Sequence, residues 1–267
     1  MNKDIVVVRG GGDIATGVIH KLHRCGFKVV VLECEKPTSI RRKVCFSECV
    51  YDGFAEVEGE RAELIKSIDD IDKSFKNNII PVIIDVDGKT ILELKPEVVV
   101  DAILAKRNLG TNIDMAPITI GLGPGFSAGH NVTAVIETMR GHDLGRIIRH
   151  GEAVPNTGVP GEIAGISKER VIYSPNDGIV KNLSNIGDVV EKGQAIATVN
   201  NVDVTASIRG VLRGIIREGI YVKKKMKIGD IDPRLDEVNN CFTISDKARA
   251  IGGAVLEAIL WIKGNEK

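Results

Sequence analysis

Hydrophobic residues gather in short unbroken runs through the first half of the chain: IVVV (Ile5 to Val8), VVVL (Val29 to Leu32), IIPVII (Ile79 to Ile84), VVV (Val98 to Val100) and ITIGL (Ile118 to Leu122). Runs that do not alternate with polar residues imply burial on both faces, which is how strands of a parallel sheet read. Between the first two runs Ile14, Val18 and Leu22 fall at helical spacing and Gly26 supplies a stop, so the pattern predicts a β-α-β unit. The segment from Val132 to Met139 reads as a further helix behind the fifth strand. Residues 1–154 are therefore expected to form a Rossmann-like α/β domain, a doubly wound parallel sheet.

The pattern then changes. Pro155-Asn156-Thr157-Gly158-Val159-Pro160-Gly161 concentrates turn formers and reads as a connection. Downstream the chain is all-β and repeats itself at an offset of 32 residues, with Gly178, Gly187, Val190, Lys192 and Ile196 recurring as Gly210, Gly219, Val222, Lys224 and Ile228. The stretch SPNDGIVKNLSNIGDVVEKGQAIATV, Ser174 to Val199, resembles the barrel-sandwich hybrid of biotinyl and lipoyl carrier domains, so residues 165–234 are expected to be an inserted module of that kind. Carrier domains expose a modified lysine between the repeats. Here that hairpin, Val199 to Val204, has none, so a docking role is expected in place of a carrier role. The last segment, 240–267, carries Ser245 as an N-cap and an apolar stripe of Ala248, Ile251, Val255, Ala258, Ile259 and Ile262, and is expected to be a helix returning to the first domain.

Composition narrows the function classes. In 267 residues, 36 Lys and Arg balance 36 Asp and Glu, which leaves no net field for a polyanion, and 4% aromatic content offers few stacking platforms. Nucleic acid is not an expected partner. No apolar run approaches the ~20 residues of a membrane span and no leader pattern precedes the first strand, so no membrane partner and a cytoplasmic location are expected. Five scattered cysteines fit a reducing compartment better than a disulfide framework, and Cys34, Cys45 and Cys49 read as ordinary thiols. His20 and His23 read as surface residues. No hydrolase or kinase motif is present, so the pattern assigns neither a catalytic residue nor a metal set.

Candidate chemistry lies in two glycine-rich loops. Gly10-Gly11-Gly12-Asp13-Ile14-Ala15 fits G-x-G-x-x-A between a strand and a helix, and Glu33 lies at the end of the second strand, where its carboxylate could accept from ribose hydroxyls. In that reading Gly11 and Gly12 turn their amides toward phosphate and Ala15 permits close packing. A bare structural turn remains the other reading. Asp13 complicates the first, since a carboxylate about 5 Å from a phosphate costs about 3 kcal/mol at an effective dielectric near 20; Arg9 could offset it. The second loop holds Gly121, Gly123, Gly125, Phe126, Ser127 and His130, and together with Asp85 and Asp101 it is expected to converge on the first, because loops at the carboxyl ends of parallel strands line the ligand crevice.

RGGGDIATG, DAILAKRN from Asp101 to Asn108, GLGPGFSAG, NTGVPGEI and the closing ISDKARAIGGAVLEAIL together resemble the YqeB family of accessory proteins for selenium-dependent molybdenum hydroxylases. The first domain is also similar to the Rossmann half of the XdhC family; the separate N-terminal domain of XdhC-type proteins has no counterpart in this sequence, so its cofactor handling is not carried over. The resemblance implies maturation of a xanthine-dehydrogenase-like apo-enzyme, which would be the macromolecular partner. Molybdopterin cytosine dinucleotide is the implied nucleotide-type ligand, with NAD as the alternative for a self-sufficient oxidoreductase. A homo-oligomer stays open.

Overall fold

The computed structural model describes residues 2–158 and 161–265. The expected connection includes Val159 and Pro160, and the expected last segment includes Glu266 and Lys267; these lie outside the described residues. The chain divides into two compact units, Met1–Pro37, Cys45–Asn156 and Ile244–Lys267 in the first and Thr38–Val44 and Thr157–Thr243 in the second.

In the first unit, β1 (Asn2–Arg9), β2 (Lys28–Glu33), β4 (Glu60–Leu64), β5 (Ile80–Ile84), β6 (Pro96–Asp101), β7 (Ile118–Leu122) and β9 (Ala134–Ile136) are joined by parallel ladders. β3 (Phe54–Val57) and β10 (Ile147–Ile148) close the two edges antiparallel, giving one nine-stranded sheet in the order β10-β9-β7-β6-β1-β2-β5-β4-β3. β8 (Ser127–Ala128) and β11 (Gly151–Glu152) form a separate antiparallel pair. One face of the large sheet buries Val7, Val30, Leu32 and Val99 under α3 (Ile71–Lys76) and α4 (Lys89–Leu94), which contribute Ile71 and Ile91. α1 (Asp13–Arg24) packs on α5 (Asp246–Asn265), and α5 also contacts β7 and β9. A short helix, α2 (Cys49–Asp52), precedes β3.

The second unit contains two four-stranded antiparallel sheets. One runs β12 (Val171–Tyr173), β19 (Lys227–Asp232), β17 (Gly210–Ile215), β14 (Val189–Val190), and the other β16 (Val202–Thr205), β15 (Ala195–Val199), β13 (Gly178–Asn182), β18 (Tyr221–Val222). β13, β14 and β15 recur as β17, β18 and β19, so each sheet takes strands from both copies of the repeat and neither copy closes a core alone. The shared core holds Val180, Val190, Ile196, Leu212, Val222 and Ile228.

This architecture corrects the expectation of a Rossmann-like doubly wound parallel sheet with an inserted barrel-sandwich-hybrid-like module. What is present is a large mixed sheet accompanied by several small antiparallel sheets. Both departures in the first unit have local causes. Glu58 and Gly59, with φ of 48° and 84°, make a tight turn that folds β3 back on β4, and the alternating exposure of β3 suits an edge strand covered on one face. The expected helix at Val132 to Met139 is instead the short strand β9, in keeping with the β-branched Val132, Thr133, Val135 and Ile136.

Candidate functional site

Ladder registers align the carboxyl ends of the parallel strands along one edge. Arg9 lies opposite Leu32 and Asp101, Asp101 opposite Gly121, Leu122 opposite Ile136 and Glu33 opposite Ile84. Gly10, Asp85, Asp101, Gly121 and Gly123 therefore share that edge.

The first glycine loop is tightly tied. Gly10 has φ of 98°, and a Cβ there would stand 3.0 Å from the Ala102 carbonyl oxygen; at Gly11 it would stand 2.8 Å from the Ser47 nitrogen. The Gly11 amide, expected to face phosphate, donates to Glu33 Oε2 at 2.7 Å, while Cys34 N donates to Glu33 Oε1 at 2.8 Å. Glu33 thus closes the loop, keeping the remaining lone pairs of a half-buried carboxylate for another donor. Gly12 is the N-cap of α1 without a side-chain cap, and its carbonyl accepts from Thr16 N. Asp13 Oδ1 accepts from Ile14 N at 2.8 Å, and Ala15 is fully buried.

Arg9 and Asp101 are buried structural partners. The Arg9 guanidinium donates to Thr111 Oγ1 and to the carbonyls of Val86 and Leu109, and lies 3.7 Å from Asp101, which also accepts from Thr111 Oγ1 and Ile103 N. Arg9 is thus spent on the segment between β6 and β7 and on the Val86 carbonyl after β5, and the compensation expected of it at Asp13 has to come from another cation. Asp85 accepts from Gly88 N and Thr90 N at the start of α4, and those amides hold its carboxyl below the usual range against an opposing push from burial.

The segment following β6 joins the two glycine loops. Ala102 and Ile103 pack on Gly10, and Arg107 packs on Gly125, whose φ is 108°; a Cβ on Gly125 would stand 2.7 Å from Arg107 Cα. Leu104 and Lys106 in this segment adopt φ of 59° and 61°, uncommon for residues with side chains. Lys106 and Arg107 are exposed beside the loops. Gly121 leaves the space taken by the buried Phe126 ring, and Gly123 leaves space for Thr138. Ser127 and His130 lead elsewhere: Ser127 pairs with Glu152 in the small sheet, and His130 is an exposed residue in the turn before β9, whose Thr133 amide bonds to Thr119 at the amino-terminal side of β7. His130 is not brought to the glycine loops.

Two groups that sequence reasoning passed over stand at this edge. Glu137, directly after β9, is buried and accepts from the amides of Thr138, Met139 and Val154. Lys247, in the first turn of α5, is half-buried among Asp13, Glu137, Asp246 and Arg140; burial is the main cause holding its ammonium pKa below the usual lysine range, and Arg140 lowers it further while the carboxylates oppose. A signal for it was available, because a lysine just after the N-cap Ser245 opposes the helix dipole.

An open cleft of about 940 Å³ lies at the carboxyl ends of β2 and β5, lined in part by Cys34, Lys36, Lys66, Ile84, Val86 and Thr90. Burial pushes the Cys34 thiol up to about 11 and the Cys49 thiol up to about 12, so both are protonated at neutral pH. His20 and His23, read from the sequence as surface residues, face the β3–β4 turn: His20 is buried with Glu58 4.0 Å away and His23 bonds to Glu60.

No family model matches the chain. It is 50% identical over 258 residues to the Escherichia coli (strain K12) protein described as "Uncharacterized protein YqeB", a match that covers 97% of this chain and 48% of that protein. Among solved structures, the chain is similar to a product-bound ectoine utilization protein EutE (DoeB) from Ruegeria pomeroyi, at 12% identity over 85% of this chain and 57% of that one, TM-score 0.24. An aspartoacylase family protein from Mesorhizobium loti gives 13% identity over 88% and 86%, TM-score 0.27, and a succinylglutamate desuccinylase from a Silicibacter species gives 13% over 86% and 85%, TM-score 0.26.

Proposed function

The chain is a YqeB-family homologue spanning about half the length of the curated relative it matches, and from that premise we propose that it serves as an accessory protein in the maturation of a selenium-dependent molybdenum hydroxylase. It binds a nucleotide-bearing anionic cofactor of molybdopterin type at the glycine-loop edge and hands it to the apo-enzyme through another surface. The resemblance supplies the partner class and the cofactor. The observation that carries the binding role is the meeting of three strained or glycine-bearing segments at one edge: Gly10 to Asp13, Asp101 to Thr111 and Gly121 to Gly125. Backbone that approaches this closely at the carboxyl ends of parallel strands is where open α/β sheets take their ligands.

Affinity capture from cells that make a molybdenum hydroxylase is expected to recover the apo-enzyme, and deletion of the gene is expected to lower hydroxylase activity. Capture without such a partner, combined with normal hydroxylase activity in the deletion strain, contradicts the reading. Turnover with NAD by the purified chain would move it to the oxidoreductase class.

A further inference from the structure

A phosphate cannot sit beside Asp13 unless a cation offsets the carboxylate, and Arg9 is committed to Thr111, Val86, Leu109 and Asp101. Asp13 lies one turn before Gly17, so the two share a face of α1. α5 covers that face: a Cβ on Gly17 would stand 2.6 Å from the Ala248 carbonyl oxygen, and one on Gly252 would meet the Gly17 carbonyl. Ala248, in the first turn of α5, is thereby set against Gly17, one turn beyond Asp13; Lys247 immediately precedes Ala248 and interacts electrostatically with Asp13. The other charges here have firm engagements. Arg140 forms a two-pronged pair with Asp246 at 2.6 and 2.8 Å, and the Glu137 carboxylate accepts three backbone amides.

We propose that Lys247 is the cation that receives the diphosphate of a nucleotide ligand at the Gly10 to Asp13 loop, cancelling the repulsion from Asp13. This rests on the binding role proposed above and adds the residue that makes it electrostatically feasible. A lysine in the first turn of a helix is unfavourable, and so is half-burial of its ammonium. Both costs fall when a phosphate arrives, because a charge-assisted hydrogen bond replaces lost hydration.

Isothermal titration of the full chain with inorganic pyrophosphate and with cytidine 5′-diphosphate tests the assignment. Lys247→Met is expected to weaken both by about tenfold or more, and Lys247→Arg to retain most of the affinity. Asp13→Asn, which leaves Lys247 in place, is expected to tighten binding, and the double variant to recover part of the loss. A lysine that only props up the fold would lower the melting temperature without this opposite response at Asp13. Wild-type affinity in folded Lys247→Met, or unchanged or weaker binding in Asp13→Asn, overturns the assignment and leaves the binding role standing. Failure of the wild type to bind either probe overturns both.

Discussion

At Gly11 a single amide hydrogen separates two uses of one loop. The sequence pattern places a glycine turn and an acidic residue at the spacing of a nucleotide site, and both are present at the edge; what spacing could not express is that Glu33 bonds to Gly11 itself. Arg9 and Asp101 were equally visible as charged residues at strand ends, yet their burial against each other depends on Thr111, ten residues beyond Asp101. For Lys247 the local pattern offered only a charge opposed to the dipole of its helix, and its relation to Asp13 exists only once α5 has packed. The second unit offers a sharper residue-scale test. Asp232 is 1% exposed and bonds to Arg213 and Arg234, which hold its carboxyl down to about 2 despite burial. Since its folded pKa lies below its unfolded value, this stabilisation is complete above the unfolded carboxylate range near pH 4 and is lost as pH falls toward 2. Asp232→Asn is expected to cost about 3–5 kcal/mol at neutral pH, because Arg213 is left buried and unpaired, and the deficit relative to wild type shrinks as pH falls through that window. Urea unfolding of the two proteins from pH 7 to pH 2 checks it; a deficit independent of pH contradicts it.

Among the elements, the contact between α1 and α5 rests on two glycines. A Cβ at Gly17 would overlap Ala248, and one at Gly252 would overlap the Gly17 carbonyl, whereas at Gly253 it meets open space. Gly17→Ala and Gly252→Ala are therefore expected to lower unfolding free energy by about 1–3 kcal/mol through overpacking. Gly253→Ala gains about 1 kcal/mol from helix propensity. Denaturant midpoints of the three variants decide it, and equal effects at all three positions would rule out the close crossing. The helix itself was legible, from its Ser245 cap through its apolar stripe, and so was α1 with its stop at Gly26. β9 was misread because a strand of three residues, Ala134–Ile136, is too short to show a period, and Val132 and Val135 also fit helical spacing. The antiparallel edge strands β3 and β10 carry no long apolar run, which is why the sequence suggested a purely parallel sheet.

On the scale of the whole molecule, long apolar runs revealed the interior of the large sheet, and the offset of 32 residues revealed the internal repeat of the second unit. Sheet composition was hidden, since it depends on how strands of the two copies exchange between sheets. The segment Thr38–Val44 shows the same limit: it belongs with Thr157–Thr243 through contacts such as Arg42 with the Ile215 carbonyl, 173 residues away. The central claim, that the edge formed by Gly10 to Asp13 holds a nucleotide diphosphate, is tested most directly by a crystal of the full chain soaked with cytidine 5′-diphosphate. The account predicts diphosphate density against the amides of Gly12 and Asp13 with Lys247 in contact. An empty loop at saturating nucleotide, or density confined to the cleft between β2 and β5, would contradict it.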